Sequence, residues 1–155
     1  MKMNIYYELN QIKDIFKAYK DSIDLPITEE EYDIFCRQLV QIPKDKLDII
    51  NKNIYFVLLS ANPTCTIPAC LINLDDRKFN GKNALIILTP LIFGYPPGTC
   101  SPGPEKILHE IAHFDLGHND YLNREDIEKK EKEADKLAAN WLNKYFLATD
   151  RENET

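Results

Sequence analysis

The chain has 155 residues, a length typical of one domain that buries its own core. Apolar residues make up 44% of it and charged residues 28%, which are the proportions of an ordinary globular protein. The net charge of −6 argues against nucleic-acid binding, because a protein that neutralises phosphates needs a basic surface. Composition and charge thus predict a folded, acidic domain that makes no direct contact with nucleic acid.

Neither export nor membrane insertion is predicted. Residues 1–16 contain no uninterrupted apolar segment of the kind a signal peptide requires. The longest apolar run, residues 84–93, is broken by Thr89 and Pro90 and is too short to cross a bilayer. We expect a soluble, cytoplasmic protein. Cytosolic thiols stay reduced, so we expect free thiols at Cys36, Cys65, Cys70 and Cys100.

Residues 1–51 are predicted to form a helical N-terminal part. Apolar side chains recur at helical spacing in its first segment, which is typical of an amphipathic helix. Thr28, followed three residues later by Glu31, forms a capping box at the start of the second segment. We predict three helices here, over residues 4–20, 28–41 and 43–51.

Residues 52–147 are predicted to add a small sheet and two helices. Runs rich in β-branched and aromatic residues predict three strands, over residues 54–60, 69–74 and 84–89. A run rich in proline and glycine predicts a loop over residues 90–104. Two helices follow, over residues 104–116 and 123–146, the second capped by Asn123 with Asp126. This order of elements predicts a single α+β domain.

The segment His109-Glu110-Ile111-Ala112-His113 has the pattern HExxH and contains the main candidate site residues. Residues four apart share one face of a helix, so both imidazoles can reach one metal ion. Glu110 is one residue further round the helix, beside such an ion, where a carboxylate can act as a base on water. The pattern predicts His109 and His113 as zinc ligands and Glu110 as the catalytic base.

A third zinc ligand is expected downstream, from His118, Glu131 or Glu133. His118 follows Gly117, a residue that commonly ends helices, and a contact around the metal suits it better than ligation. Helical phase places Glu131 near the apolar stripe of the last predicted helix and Glu133 on the opposite side. A carboxylate facing the core needs a partner, and a metal ion provides one. Asp135 faces the same way as Glu131 and could hold a ligand histidine through its second nitrogen.

The segments ILHEIAHFDLGH and EKEADKLAANWL together resemble the ImmA/IrrE-type zinc metallopeptidases, small relatives of the glutamate zincins. The resemblance covers about residues 85–147 and implies a zincin-like core over residues 52–147 of a single metallopeptidase domain. It also implies that Glu131 is the third ligand. Family members are often fused to a DNA-binding helix-turn-helix or cut a partner repressor. Ala112 stands where many members have glycine, and residues 1–51 contain no basic recognition helix.

These observations predict a zinc-dependent endopeptidase that acts on a specific protein, with a transcriptional repressor as one candidate. A second oxyanion donor beside zinc is expected from His118, Tyr121 or Tyr95. By resemblance, the strand over residues 84–89 would pair with an extended peptide, unless it lies inside the sheet. The alternative function is a zinc-stabilised regulatory module that binds a protein and has little or no proteolytic activity.

Overall fold

The computed structural model describes residues 4–20, 22, 26–58, 69–74, 76–93, 105–118 and 121–153. Tyr95, Cys65, Cys100 and most of the predicted loop over residues 90–104 lie outside these ranges. Within them the chain forms six α-helices and one three-stranded sheet, which confirms the predicted α+β class. None of the described helices is long and apolar enough to cross a membrane.

The described N-terminal part contains four helices where three were predicted: α1 (Leu9–Ile15), α2 (Lys17–Lys20), α3 (Glu29–Leu39) and α4 (Lys44–Asn53). The predicted first helix begins late, because Tyr6 instead forms a β-bridge with Pro43. It is also interrupted at Phe16, whose side chain is fully buried. The predicted capping box is present at α3, where Thr28 and Glu31 each accept the backbone N–H of the other.

The sheet has the order β1-β3-β2 and is made of β1 (Ile54–Leu58), β2 (Ala69–Asn73) and β3 (Ala84–Leu88). β1 runs parallel to β3, whereas β2 is antiparallel to it. β3 is the central strand, and its alternate residues Ala84, Ile86 and Leu88 are fully buried. Of the two predicted positions for this strand, the interior one is therefore confirmed. Pairing of β3 with a peptide substrate is wrong, because both of its edges already bind neighbouring strands.

Two helices carry the predicted site residues: α5 (Glu105–Asp115) and α6 (Arg124–Asn153). α5 packs against α6, β2 and α3, and its side chains at Ile107, Leu108, Ile111 and Ala112 are almost completely buried. Asn123 caps α6 by accepting the N–H of Asp126, as predicted. α6 continues past its predicted end at residue 146, because residues 147–153 contain neither glycine nor proline. The site lies where α5 meets α6.

Candidate metal centre

The two histidines of the HExxH segment lie on one face of α5, as their spacing predicted. His109 and His113 are 6% and 4% exposed. Their rings meet edge to face, with centroids 4.6 Å apart and an interplanar angle of 85°. Their Nε2 atoms are 3.0 Å apart. Both imidazoles therefore direct one nitrogen at the same place.

Glu131 reaches that place from α6. Its Oε2 lies 3.0 Å from Nε2 of His109, and its Oε1 lies 3.1 Å from Nε2 of His113. Ala134 and Ala138 are buried on α6, and small side chains at a helix contact let two helices approach closely. The side chain of Glu131 is 46% exposed, so the cluster opens towards solvent on this side. The structure thus brings together the three residues that the sequence nominated as ligands.

Their ligand atoms suit a metal ion in both spacing and protonation. Atoms about 2.0–2.1 Å from a tetrahedral zinc ion stand about 3.3 Å from one another. The two histidine Nε2 atoms are 3.0 Å apart, and each lies 3.0–3.1 Å from a different oxygen of Glu131. Asp135 Oδ1 lies 2.8 Å from Nδ1 of His109, and this carboxylate keeps the proton of a neutral imidazole on Nδ1. In the tautomer with its hydrogen on Nδ1, the lone pair of His109 Nε2 faces the Glu131 carboxylate with no hydrogen between them. A cation stabilises such an arrangement.

The end of α5 brings a third histidine against the cluster. Gly117 has a φ of +70°, a left-handed conformation that favours glycine. The N–H of His118 donates to the carbonyl of His113, and the N–H of Gly117 donates to that of Phe114, each at 3.0 Å. This Schellman motif ends the helix and turns His118 back over its last turn. Nδ1 of His118 then lies 2.9 Å from Nδ1 of His113, on the side of that ring away from the ligand atoms.

Glu133 contacts His118, with 2.9 Å between its Oε2 and Nε2 of the ring. The prediction that Glu133 lies on the opposite side, away from the site, is wrong. The exposed fractions of the Glu131 and Glu133 side chains are nearly equal, 46% and 42%, so burial does not separate the two acids. Both ring nitrogens of His118 are engaged, by His113 and by Glu133, so neither is directed at the ligand atoms. A histidine directly after a helix-ending glycine was the sequence signal for this contact.

Glu110 lies beside the ligand atoms without joining them. Its Oε2 accepts the backbone N–H of Leu71 in β2 at 2.8 Å. Burial raises the pKa of this carboxyl group, and the hydrogen bond from the Leu71 N–H opposes that rise. A half-buried carboxylate held by one oxygen suits proton transfer to and from water. Its position agrees with the predicted role of a base that does not bind the metal.

Tyr121 is the remaining candidate oxyanion donor among the described residues. Burial raises the pKa of its phenol, and the negative charges of Glu131 and Glu110 raise it further. The hydroxyl therefore keeps its proton at neutral pH, so it is available as a donor in the field of both site carboxylates. The ammonium group of Lys130 lies 5.5 Å from the centre of the ring, an attractive cation–π contact that helps to hold it.

No protein-family model, curated protein or solved structure matches the chain. The resemblance to the ImmA/IrrE-type metallopeptidases stays a prediction based on two short segments. The function is therefore inferred from the geometry of the cluster formed by His109, His113, Glu131 and Glu110.

Proposed function

We propose that this protein is a zinc-dependent endopeptidase of the ImmA/IrrE type that hydrolyses peptide bonds in a specific protein substrate. The observation that carries the proposal is the convergence of His109, His113 and Glu131 on one position next to Glu110. A site that only held a metal ion would need no further carboxylate beside its ligands. Hydrolysis does need one, as the base that acts on water.

Each residue around this position has a separate role in the proposed reaction. A zinc ion held by His109, His113 and Glu131 would supply the Lewis acid that activates water and polarises a peptide carbonyl. Glu110 accepts the proton of the attacking water and passes it to the leaving amine. The N–H of Leu71 holds the Glu110 carboxylate in place. Asp135 keeps the proton of His109 on Nδ1, so that Nε2 remains available as a ligand.

The outer edge of β2 is the proposed position of the peptide substrate. In an antiparallel pair, alternate residues direct their backbone groups to opposite sides. Leu71 directs its N–H to Glu110 rather than to β3, so the backbone groups of Ala69, Leu71 and Asn73 face away from β3. The N–H of Leu71 stays with Glu110, and the other groups are open to a peptide. Among the described residues no strand covers that edge. An extended peptide added there would run past Glu110.

Tyr121→Phe should lower kcat by about 10²- to 10³-fold, the usual effect of removing one oxyanion donor. The substitution removes the hydroxyl and keeps the ring that Lys130 contacts. KM should change little, because the donor acts mainly in the transition state. Tyr95→Phe makes the same change at the other predicted tyrosine donor and should lower kcat much less. If Tyr95→Phe lowers kcat and Tyr121→Phe does not, the donor has been assigned to the wrong tyrosine.

Removing the metal tests the proposed function itself. Zinc-loaded protein should cut members of a peptide library made from the proteins of its own cell, including DNA-binding repressors, and mass spectrometry should detect the new N-termini. Chelator-treated protein should cut none, and added zinc should restore cleavage at the same bonds. A His113→Ala preparation purified in parallel controls for contaminating proteases, since it should stay inactive after zinc is added.

The alternative function, a zinc-stabilised module that binds a regulatory protein, predicts a different result. Zinc-loaded protein would then capture one intact partner and leave the whole library uncut. That outcome would overturn the proposed hydrolysis while keeping the metal centre.

A further inference from the structure

We propose that Glu133 and His118 form a relay that fixes the tautomer of His113, as Asp135 does for His109. The inference rests on the proposed function, because it treats His113 as a metal ligand. Nδ1 of His113 lies 2.9 Å from Nδ1 of His118, whose Nε2 lies 2.9 Å from Oε2 of Glu133. Both histidines are at least nine-tenths buried, so water competes little for these nitrogens.

The donors and acceptors along the relay determine which ring nitrogen carries each hydrogen. An ionised carboxylate only accepts hydrogen bonds, so Glu133 requires a hydrogen on Nε2 of His118. A neutral His118 then has a bare Nδ1, which can only accept. With His118 neutral, the single hydrogen between the two Nδ1 atoms belongs to His113. Nε2 of His113 is thereby left with its lone pair directed at His109 and Glu131, as metal ligation requires.

Loss of Glu133 would change which nitrogens of His118 and His113 carry hydrogen. Without that carboxylate, His118 can move its hydrogen to Nδ1 and donate to His113. The hydrogen of His113 would then sit on Nε2, where it blocks ligation. Glu133 is therefore a positioning residue for His113, although it contacts neither that ring nor the ligand atoms.

The backbone holds the relay in a fixed geometry. The N–H of His118 is bound to the carbonyl of His113 by the Schellman motif, which sets the spacing of the two rings. The side-chain amide of Asn73 in β2 lies at 3.5 Å from the carbonyl of His118 and donates to it. α6 supplies Glu133 only two residues from the ligand Glu131. α6 thus supplies both the third ligand, Glu131, and the residue that orients the ligand His113.

Glu133→Ala should weaken zinc binding by about 10- to 100-fold, the usual cost of losing an outer partner of a ligand histidine. Competition with a chromophoric chelator measures the dissociation constant. Glu133→Gln should lose less, because its amide oxygen still accepts the hydrogen on His118. The matched control is Glu128→Ala, which removes an equal charge from the same helix at a residue paired with Arg124.

NMR of the imidazole nitrogens in the metal-free protein gives a second measurement. We expect the hydrogen of His113 on Nδ1 in the wild type and in Glu128→Ala, and a mixture of tautomers in Glu133→Ala. Unchanged zinc affinity and an unchanged tautomer in Glu133→Ala would overturn the relay and leave the proposed function standing. If the wild type bound no zinc, the proposed function would fail, while the spectra of the metal-free protein would still decide whether the relay exists.

Discussion

Replacing Glu131 or His113 with alanine should abolish stoichiometric zinc binding. Each residue supplies one of three ligand atoms that lie within 4.8 Å of one another, and its loss removes a direct bond to the metal. The loss of affinity should therefore exceed about 100-fold, the upper end of what outer partners of a ligand contribute. Elemental analysis should find about one zinc ion per chain in the wild type and very little in either variant.

Controls for this prediction come from the same helix. Glu128→Ala should retain wild-type zinc content, and Glu133→Ala should lie between Glu128→Ala and Glu131→Ala. The melting temperatures of the metal-free wild type and variants should be similar, which would show that the loss is one of ligation rather than folding. A Glu131→Ala protein that binds zinc normally, while His118→Ala does not, would replace the proposed ligand set with one of three histidines.

Features set by neighbouring residues could be predicted from the sequence. Capping at Thr28 and Asn123 depends on side chains three residues apart, and both caps are present. Helical periodicity likewise brings His109 and His113 to one position, because α5 is regular between them. Such features need no knowledge of the rest of the fold.

Features that depend on the order of elements in space could not be predicted. The apolar sequence of β3 is compatible with an edge or a central strand, and only the pairing of β1 and β2 on its two sides decides between them. Tyr6 leaves the first predicted helix because its backbone pairs with Pro43, a partner more than thirty residues away in the sequence. The hydrogen bond between Leu71 and Glu110 also joins two segments distant in the sequence, and no local sequence pattern predicts it.

Helical phase correctly placed Glu131 beside His109 and His113, although its side chain is 46% exposed and does not face the core. The position that it gave for Glu133 is wrong. Helical periodicity alone divides the side chains of α6 into those that face the core and those that face solvent. The Schellman motif at Gly117 places His118 in contact with Glu133, whose side chain was predicted to face solvent. Glu131 and Glu133, two residues apart on α6, therefore both contact histidines of the site.

Glu110→Gln should retain the metal and the fold while losing hydrolysis, and this is the strictest test of the proposed enzyme. The glutamine oxygen can still accept the N–H of Leu71, which lies 2.8 Å from Oε2 in the wild type. Glutamine is nearly isosteric with glutamate but cannot accept a proton from water at neutral pH. General-base catalysis contributes about 10²- to 10⁴-fold, so kcat should fall by at least that range.

The measurement is the turnover of one identified protein substrate by wild type and Glu110→Gln at equal zinc occupancy. Because the base acts in the transition state, kcat and kcat/KM should fall together while KM changes little. Glu128→Gln, which neutralises an acid at a residue paired with Arg124 on α6, should match the wild type. Equal rates for wild type and Glu110→Gln would show that Glu110 is not the base. A loss of zinc from Glu110→Gln would instead show that this carboxylate belongs to the ligand set, and the division between three ligands and one base would be wrong.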